Sequence, residues 1–255
     1  SLSFPIYRIN SVGIAQLVDD TNPGLGIASV VTPGSFTNVN GTLYFVTSTA
    51  IGSELWRVNS SGIADVVEDA VPGGGIAPGA SDASPTNLTN VNGTLYFQAN
   101  DGTNGRELWK VSGSGLAVMV EDAVAGGGIS PEFGASSPTS LSNANGILYF
   151  QANDGFNGPE LWRINSSGVA EMVEDAVPGD GLETASVSSD PTSLTIVNDT
   201  LYFLANDGAN GVELWRKNSS GVAEIIEDSV PGGGIRPGLA ASSPTNLTNV
   251  GGMLY

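Results

Sequence analysis

One pattern returns along the chain at an almost constant spacing, and it limits the fold more than any other feature. The triplet Glu-Leu-Trp begins four times, 53 residues apart, at Glu54, Glu107, Glu160 and Glu213. A Leu-Tyr-Phe triplet precedes each copy, at Leu43, Leu95, Leu148 and Leu201. The pattern predicts four complete units at 33–84, 85–137, 138–190 and 191–243, and a fifth unit divided between 244–255 and 1–32.

The unit at 85–137 shows how each repeat is expected to fold. The segment "TNLTNV" precedes an Asn-Gly pair, a strong signal for a tight hairpin turn. The next segment, "TLYFQA", has the β-branched and aromatic residues of a strand that is apolar on both faces. The loop "NDGTNG" leads to "ELWKV", and the turn "SGSG" leads to "LAVMVEDAV". Each unit is therefore predicted to form four antiparallel strands, followed by a long connection rich in glycine and proline.

Four short antiparallel strands in each repeat of about 50 residues are typical of a β-propeller blade. The sequence therefore predicts an all-β fold, a five-bladed β-propeller in which residues 1–255 form a single domain. The ring is expected to be closed by the blade that is divided between the N- and C-terminal segments.

The charge of the chain limits its partners. The 255 residues include 26 acidic and 8 basic residues, for a formal net charge of −18, so nucleic acid and anionic membrane surfaces would be repelled. The chain has no cysteine and no histidine, which removes disulfides, thiolate metal sites and the commonest base near neutral pH. No apolar stretch is long enough for membrane insertion, and residues 1–10 lack the pattern of an intact signal peptide.

The order Leu-Tyr-Phe, Asn-Asp-Gly, Glu-Leu-Trp within residues 95–109 resembles the bacterial ELWxxDGT repeat family. The resemblance covers four units well and the divided unit in part. It departs after Glu-Leu-Trp, where Asn-Ser-Ser-Gly or Ser-Gly-Ser-Gly replaces Asp-Gly-Thr. It implies a propeller scaffold in a secreted or cell-surface protein. The architecture is also similar to that of the five-bladed tachylectin-type lectins, an analogy that extends to the fold alone.

Two columns of repeated side chains have both a structural and a functional interpretation. An aromatic column could stack on sugar rings, but packing between neighbouring blades is favoured. A basic column could bind an anionic ligand, but pairing with a carboxylate of an adjacent strand or blade is favoured. The aromatic column comprises Tyr7, Trp56, Trp109, Trp162 and Trp215. The basic column comprises Arg8, Arg57, Lys110, Arg163 and Arg216.

Strand direction predicts that most acidic residues meet on one face of the disc. That face collects the loops between the second and third strands, the Glu residues that open the third strands, and the Glu-Asp pairs that close the fourth strands. The loops are candidate ligand-binding sites, through Asn100, Asp101, Asn104, Asn153, Asp154, Asn157, Asn206, Asp207 and Asn210. Calcium takes six to eight oxygen ligands, and the candidate metal ligands are Asp101, Asp154 and Asp207. The alternative is ordinary turn chemistry, which uses the same residue types.

The repeated columns favour a binding module over an enzyme. A single active site needs residues unique to one blade, whereas nearly every acidic residue here belongs to a repeated position, so no enzyme is expected. Several similar shallow sites favour multivalent, lectin-like binding of carbohydrate outside the cell. The alternative is a structural or adhesive propeller of a surface assembly that binds a protein partner. Neither hypothesis requires a cofactor, and both leave the oligomeric state open.

Overall fold

In the computed structural model, the described residues are 6–18, 36–49, 51–59, 61–71, 75–77, 82–123, 128–130, 134–175, 182, 188–227, 235 and 241–255. The strands in these ranges follow one another without an intervening helix, as the sequence predicts. Nothing in the described part of the chain is a helix with the length and apolar character that a membrane crossing requires. The chain divides into two compact units, Ser1–Met119 and Val120–Tyr255.

Within the described residues, the first unit contains one two-stranded and two four-stranded antiparallel sheets. Its strands are β1 (Tyr7–Ile9), β2 (Ala15–Leu17), β3 (Thr37–Val39), β4 (Thr42–Thr49), β5 (Gly52–Val58), β6 (Ala64–Val66), β7 (Thr86–Val91), β8 (Thr94–Asn100), β9 (Arg106–Val111) and β10 (Ala117–Met119). Strand β1 pairs with β2, and strands pair in chain order within β3–β6 and within β7–β10.

The second unit contains, in the part of the chain that the structure describes, two four-stranded sheets and one two-stranded sheet. Its strands are β11 (Thr139–Ala144), β12 (Ile147–Asn153), β13 (Pro159–Ile164), β14 (Ala170–Met172), β15 (Thr192–Val197), β16 (Thr200–Asn206), β17 (Val212–Lys217), β18 (Ala223–Ile225), β19 (Asn249–Val250) and β20 (Met253–Leu254). Pairing again follows chain order. Each complete sequence repeat therefore forms one four-stranded antiparallel sheet with the strand order of a propeller blade.

The hairpin of β7 and β8 shows why the repeat folds in this way. Its turn residues, Asn92 and Gly93, have φ angles of 50° and 82°, the left-handed values that a two-residue turn of this type requires. Strand β8 is buried from Leu95 to Ala99, which confirms that the strand is covered on both faces. The loop after β8 therefore lies at the opposite end of the sheet from the Asn-Gly turn.

The fourth strand is shorter than predicted. The sequence predicts a strand over 116–124, whereas β10 ends at Met119. The same position in the other repeats explains the early end, because the chain there pairs with the neighbouring sheet. The carbonyl of Glu68 accepts a hydrogen bond of 2.8 Å from the amide of Ala117, and the carbonyl of Glu174 accepts one of 2.9 Å from the amide of Ala223. The Glu-Asp pairs thus connect sheets within each unit.

Side chains at the turns also join neighbouring sheets. In the first unit, the amide group of Asn90 donates a hydrogen bond of 2.8 Å to the carbonyl of Asn38. In the second unit, Asn198 donates one of 2.7 Å to the carbonyl of Gly252. Because each bond spans two repeats, the asparagines of the turns set the distance between adjacent sheets as well as the shape of their own hairpins.

The aromatic column belongs to the core, as predicted. At most 7% of each side chain is exposed in Trp56, Trp109, Trp162 and Trp215. Each tryptophan faces a phenylalanine across the hairpin, as in the pair Phe203 and Trp215, whose ring centroids are 6.5 Å apart. The exception is Tyr7, which is 59% exposed, because two strands of its sheet lie in the described part of the chain and cover it less than a four-stranded sheet would.

Three members of the basic column, Arg57, Arg163 and Arg216, make the predicted pairs with the adjacent strand. The other two, Arg8 and Lys110, lie opposite Gln16 and Val118. Nε of Arg163 lies 2.6 Å from Oε1 of Glu171, its cross-strand partner. The corresponding groups of Arg216 and Glu224 are 2.6 Å apart. Both pairs are partly exposed, so each contributes at most about 1 kcal/mol to stability.

Candidate functional site

The Glu column of the third strands is buried, and the prediction that it belongs to an exposed acidic face is wrong. At most 1% of each side chain is exposed in Glu54, Glu107, Glu160 and Glu213. Oε1 of Glu160 accepts a hydrogen bond of 2.8 Å from the amide of Ser189, and the Ser189 hydroxyl donates to Oε2 at 2.5 Å. Ser242 makes both bonds to Glu213. The buried carboxylates therefore fasten the connection that precedes each first strand to the third strand of the previous sheet.

Glu54 has a weaker set of partners than Glu160. Its carboxylate accepts hydrogen bonds from the amides of Ile76 at 2.9 Å and Ala83 at 3.3 Å. Ala83 stands where the other three complete repeats have serine, at Ser136, Ser189 and Ser242, so it has no hydroxyl to donate. Burial raises the pKa of Glu54 to about 7 against the opposing effect of the backbone hydrogen bonds, and the nearby charge of Asp82 adds to the rise.

The candidate residues of each Asn-Asp-Gly loop are brought together by hydrogen bonds within the loop. Oδ1 of Asp101 accepts from the amides of Thr103 and Asn104, both at 2.8 Å, and Oδ2 accepts from the side chain of Asn104 at 2.7 Å. Oδ1 of Asn100 accepts from the amide of Gly102 at 2.8 Å.

The other two loops repeat this arrangement. Asp154 accepts from the amide and the side chain of Asn157, and Asp207 from those of Asn210. Asn153 and Asn206 accept from the glycine two residues later, as Asn100 does. In all three loops, therefore, the polar groups of the candidate residues shape the turn.

Calcium takes six to eight oxygen ligands, of which carboxylates are only one kind. Within the described residues, no three acidic side chains form a group that could hold a metal ion. Each loop supplies one aspartate, whose two oxygens already accept hydrogen bonds from the loop itself. This geometry fits ordinary turn chemistry, and calcium binding stays a prediction.

A pocket of about 300 Å³ lies at the opposite ends of the strands, in the second unit. The turn between β11 and β12 meets the turns of the next sheet there. Its lining includes Asn145, Tyr149, Asp199, Thr200, Lys217 and Asn218. An adjoining pocket of about 470 Å³ shares Thr200, Lys217 and Asn218 and adds Arg216 and Glu224. The first pocket lies between adjacent sheets, whereas the second is lined by residues of the repeat at 191–243 alone.

Asp199 in this lining departs from the repeat. The corresponding turn position is a glycine in the other four copies, at Gly41, Gly93, Gly146 and Gly252. Asp199 has a φ angle of +67°, in the left-handed region where a side chain is disfavoured and glycine is not. The aspartate thus occupies a backbone conformation that glycine would adopt with less strain.

Lys217 is a second departure in the same pocket. The corresponding residue is valine or isoleucine in the other four copies, at Ile9, Val58, Val111 and Ile164. A third departure, Ala144, replaces the valine found at Val39, Val91, Val197 and Val250. Because alanine lacks two methyl groups of valine, it occupies less volume in the lining of the pocket.

The charges of the pocket are unevenly compensated. The hydrogen bond and charge of Glu224 raise the pKa of Arg216, and hydrogen bonds from Asn218 and Arg216 lower the pKa of Glu224. Lys217 takes part in none of the ion pairs found among the described residues. Its Nζ lies 5.9 Å from the ring centroid of Tyr149, a cation–π distance.

Sequence reasoning missed Asp199 and Lys217. It weighed residues that recur at repeated positions, and the candidate loops that it selected lie at the other end of the strands. The pocket is identified instead by two residues of one repeat that differ from the residues at the same positions in the other copies. Neither difference alone indicates a site; the structure shows that both lie in one pocket.

Comparison with known proteins finds similarity of structure only. No family model matches the chain, and no curated protein matches it, so the resemblance to the ELWxxDGT family is not confirmed. The chain is similar in structure to virginiamycin B lyase from Staphylococcus aureus, with 20% identity and a TM-score of 0.45, over 94% of this chain and 68% of that one.

Two further structures are similar at lower scores. Puromycin hydrolase matches 74% of this chain and 28% of its own, with 17% identity and a TM-score of 0.43. TolB from Acinetobacter baumannii matches 83% of this chain and 45% of its own, with 13% identity and a TM-score of 0.40. The chain therefore spans less than half the length of these two proteins. The lyase and TolB are β-propeller proteins.

The prediction that the chain is not an enzyme is wrong as stated. A lyase and a hydrolase are among the proteins of similar structure, so an architecture of repeated sheets does not exclude catalysis. At identities of 20% and 17%, neither of the two activities transfers to this chain.

Proposed function

We propose that the chain is a lectin-like carbohydrate-binding module that acts at the cell surface or outside the cell, and that the pocket around Asp199 and Lys217 is its main binding site. The observation that supports this proposal is the coincidence of the repeat departures in one pocket. Aspartate tolerates a left-handed conformation better than most residues with a side chain, but glycine adopts it with less strain. A strained residue at a pocket is a reason to look for a function there.

The lining has the mixed chemistry that a sugar ring requires. Asp199 supplies acceptors, Lys217 supplies donors, and Thr200 supplies a hydroxyl that can do both. Ile147 and Leu201 add apolar surface in the same pocket, against which the C–H groups of a ring can pack. Small-molecule sites commonly combine apolar walls with a few such convergent polar groups, and they begin at volumes of about 300 Å³.

The proposal predicts opposite effects of Asp199→Gly on binding and on stability. The variant restores the repeat residue, so we expect the free energy of unfolding to rise by about 0.5–1 kcal/mol as the strain is relieved. The loss of the carboxylate is expected to weaken glycan binding by about tenfold or more. A glycan array identifies the ligand, titration calorimetry gives affinity and stoichiometry, and urea denaturation gives the free energy.

The array is run with calcium and with a chelator, and Asp207→Asn serves as the matched control in an Asn-Asp-Gly loop. One ligand bound per chain, with affinity lost in Asp199→Gly and kept in Asp207→Asn, supports the pocket. Three ligands per chain, with affinity lost in Asp207→Asn and under chelator, would support multivalent calcium-dependent binding at the loops. No binding to any glycan in either condition contradicts the proposal.

A structural or adhesive unit with a protein partner is the second candidate function. The observation that favours it is the use of the repeated acidic residues within the fold, as in the loop around Asp101 and the buried pair of Glu160 and Ser189. Repeated positions that serve turns and connections would be kept in a scaffold with no small ligand. The absence of binding to any glycan on the array, by protein that urea denaturation shows to be folded, would favour this function.

We also propose that the chain closes into a ring of five blades. By analogy with the pair Leu43 and Val58 in the hairpin of β4 and β5, closure would place Leu254 opposite Ile9. The chain has no cysteine, so a double cysteine variant at these two positions carries the only thiols. Cross-strand Cα distances of about 4.5–5.5 Å suit a disulfide, and we expect an intramolecular bond under mild oxidation.

Non-reducing electrophoresis and mass spectrometry measure this bond. A double cysteine variant at Leu43 and Val58 is the positive control, since both residues lie in one observed hairpin. Covalent dimers, or free thiols under conditions that oxidise the control, would contradict closure of the ring within one chain.

A further inference from the structure

Lys217 is a basic residue that belongs to none of the ion pairs among the described residues. Those three pairs all use arginine, and the Lys217 ammonium lies 5.9 Å from the ring centroid of Tyr149. The side chain is only partly exposed, and it occupies a position that is apolar in the other copies of the repeat. The free energy of desolvation is larger for an ammonium group than for the apolar side chain that it replaces, so a ligand that pairs with it is favoured.

The neighbouring basic residue, Arg216, differs from Lys217 because it has an ion-pair partner. Arg216 and Lys217 are the only adjacent basic residues in a chain with 8 basic and 26 acidic residues. Glu224 compensates Arg216 through a contact of 2.6 Å, and Asn218 donates to the other oxygen of the same carboxylate at 3.2 Å. Both oxygens of Glu224 therefore already accept hydrogen bonds from other residues, and Lys217 forms no ion pair with it.

A neutral ring that enters the pocket would remove water from the ammonium group without supplying a counter-charge, whereas a ring with a carboxylate would supply one. Asp199, which is exposed at the rim, can accept hydrogen bonds from ring hydroxyls. Resting on the proposed function, we infer that the pocket selects an acidic sugar, whose carboxylate pairs with Lys217 and whose hydroxyls donate to Asp199.

The test compares acidic and neutral sugars that share the same ring. Titration calorimetry with glucuronate against glucose, and galacturonate against galactose, is carried out on the whole chain. We expect the acidic member of at least one pair to bind about tenfold tighter or more, the ratio expected of a charge-assisted hydrogen bond. Lys217→Gln is expected to abolish this ratio, because the acidic sugar loses its charged partner and its binding falls to that of the neutral sugar.

Lys110→Gln is the matched control, because Lys110 is the only other lysine of the chain and both variants change the net charge equally. Acetate at the same concentration tests whether a carboxylate without a sugar ring competes for the site.

Equal binding of acidic and neutral sugars, or the same loss of selectivity in both lysine variants, overturns the inference but leaves the proposed function standing. Displacement of the acidic sugar by equimolar acetate also overturns it. The absence of binding to all four sugars overturns the inference, and silence on the full glycan array overturns the proposed function as well.

Discussion

Replacing Glu160 with alanine is expected to lower the free energy of unfolding by about 3 kcal/mol. The substitution removes the acceptor of two hydrogen bonds from Ser189. Ser189 is fully buried, so its amide and hydroxyl would be left without water as a substitute partner, and the missing side chain would leave a cavity. Urea denaturation followed by tryptophan fluorescence measures the change.

Glu171→Ala is the matched control for this effect. Glu171 lies on the neighbouring strand and pairs with Arg163, but its side chain is 37% exposed, so we expect a loss below about 1 kcal/mol. Ser189→Ala removes only the hydroxyl and should cost about 1–2 kcal/mol. If Glu160→Ala costs no more than Glu171→Ala, the buried carboxylate does not fasten the connection and the interpretation of the Glu column is wrong.

The second large effect is a fall in stability of up to about 3 kcal/mol between pH 4.5 and pH 7 that originates from Glu54. The pKa of Glu54 is about 7 in the folded chain, against an ordinary value of 4.5. Between these two values the folded state holds a proton that the unfolded state has lost. The stabilising contribution is therefore complete below pH 4.5 and disappears as the pH rises through 7.

Two variants isolate this contribution from the other carboxylates. Glu54→Gln cannot titrate, so the difference in free energy of unfolding between wild type and variant should change with pH across this window. Ala83→Ser supplies the hydroxyl that Ser189 provides to Glu160, and we expect it to lower the pKa of Glu54 and to stabilise the chain at pH 7.5 by about 1 kcal/mol. Parallel pH profiles of wild type and Glu54→Gln would refute the assignment to Glu54.

The strands and turns could be predicted from the sequence because they depend on local signals. The Asn-Gly pair at 92–93 requires two left-handed residues, and the apolar run at 95–97 requires cover on both faces, so both identify a central hairpin without knowledge of the rest of the chain. The aromatic core and the cross-strand pair of Arg163 and Glu171 follow from the same hairpin register. The Leu-Tyr-Phe run and the tryptophan opposite it occur in all four complete repeats, which supports the same interpretation four times.

The length of the fourth strand could not be predicted in this way. Residues 116–124 have the composition of a longer strand, but the chain leaves the sheet because carbonyls at this point, such as that of Glu68, bond to the neighbouring sheet. A contact between repeats competes here with the local preference, and no pattern within one repeat reveals which of them prevails.

The burial of the Glu column and the place of the pocket depend on contacts between segments that are distant in sequence. Glu160 accepts hydrogen bonds from Ser189, 29 residues further on. These bonds stabilise the fold because the connection packed over them excludes water. Asp199 and Lys217 share a pocket with Tyr149 of the preceding sheet. Local patterns specify strands and turns, whereas the burial of a charge and the sharing of a pocket are properties of the assembled sheets, because both depend on which surfaces exclude water together.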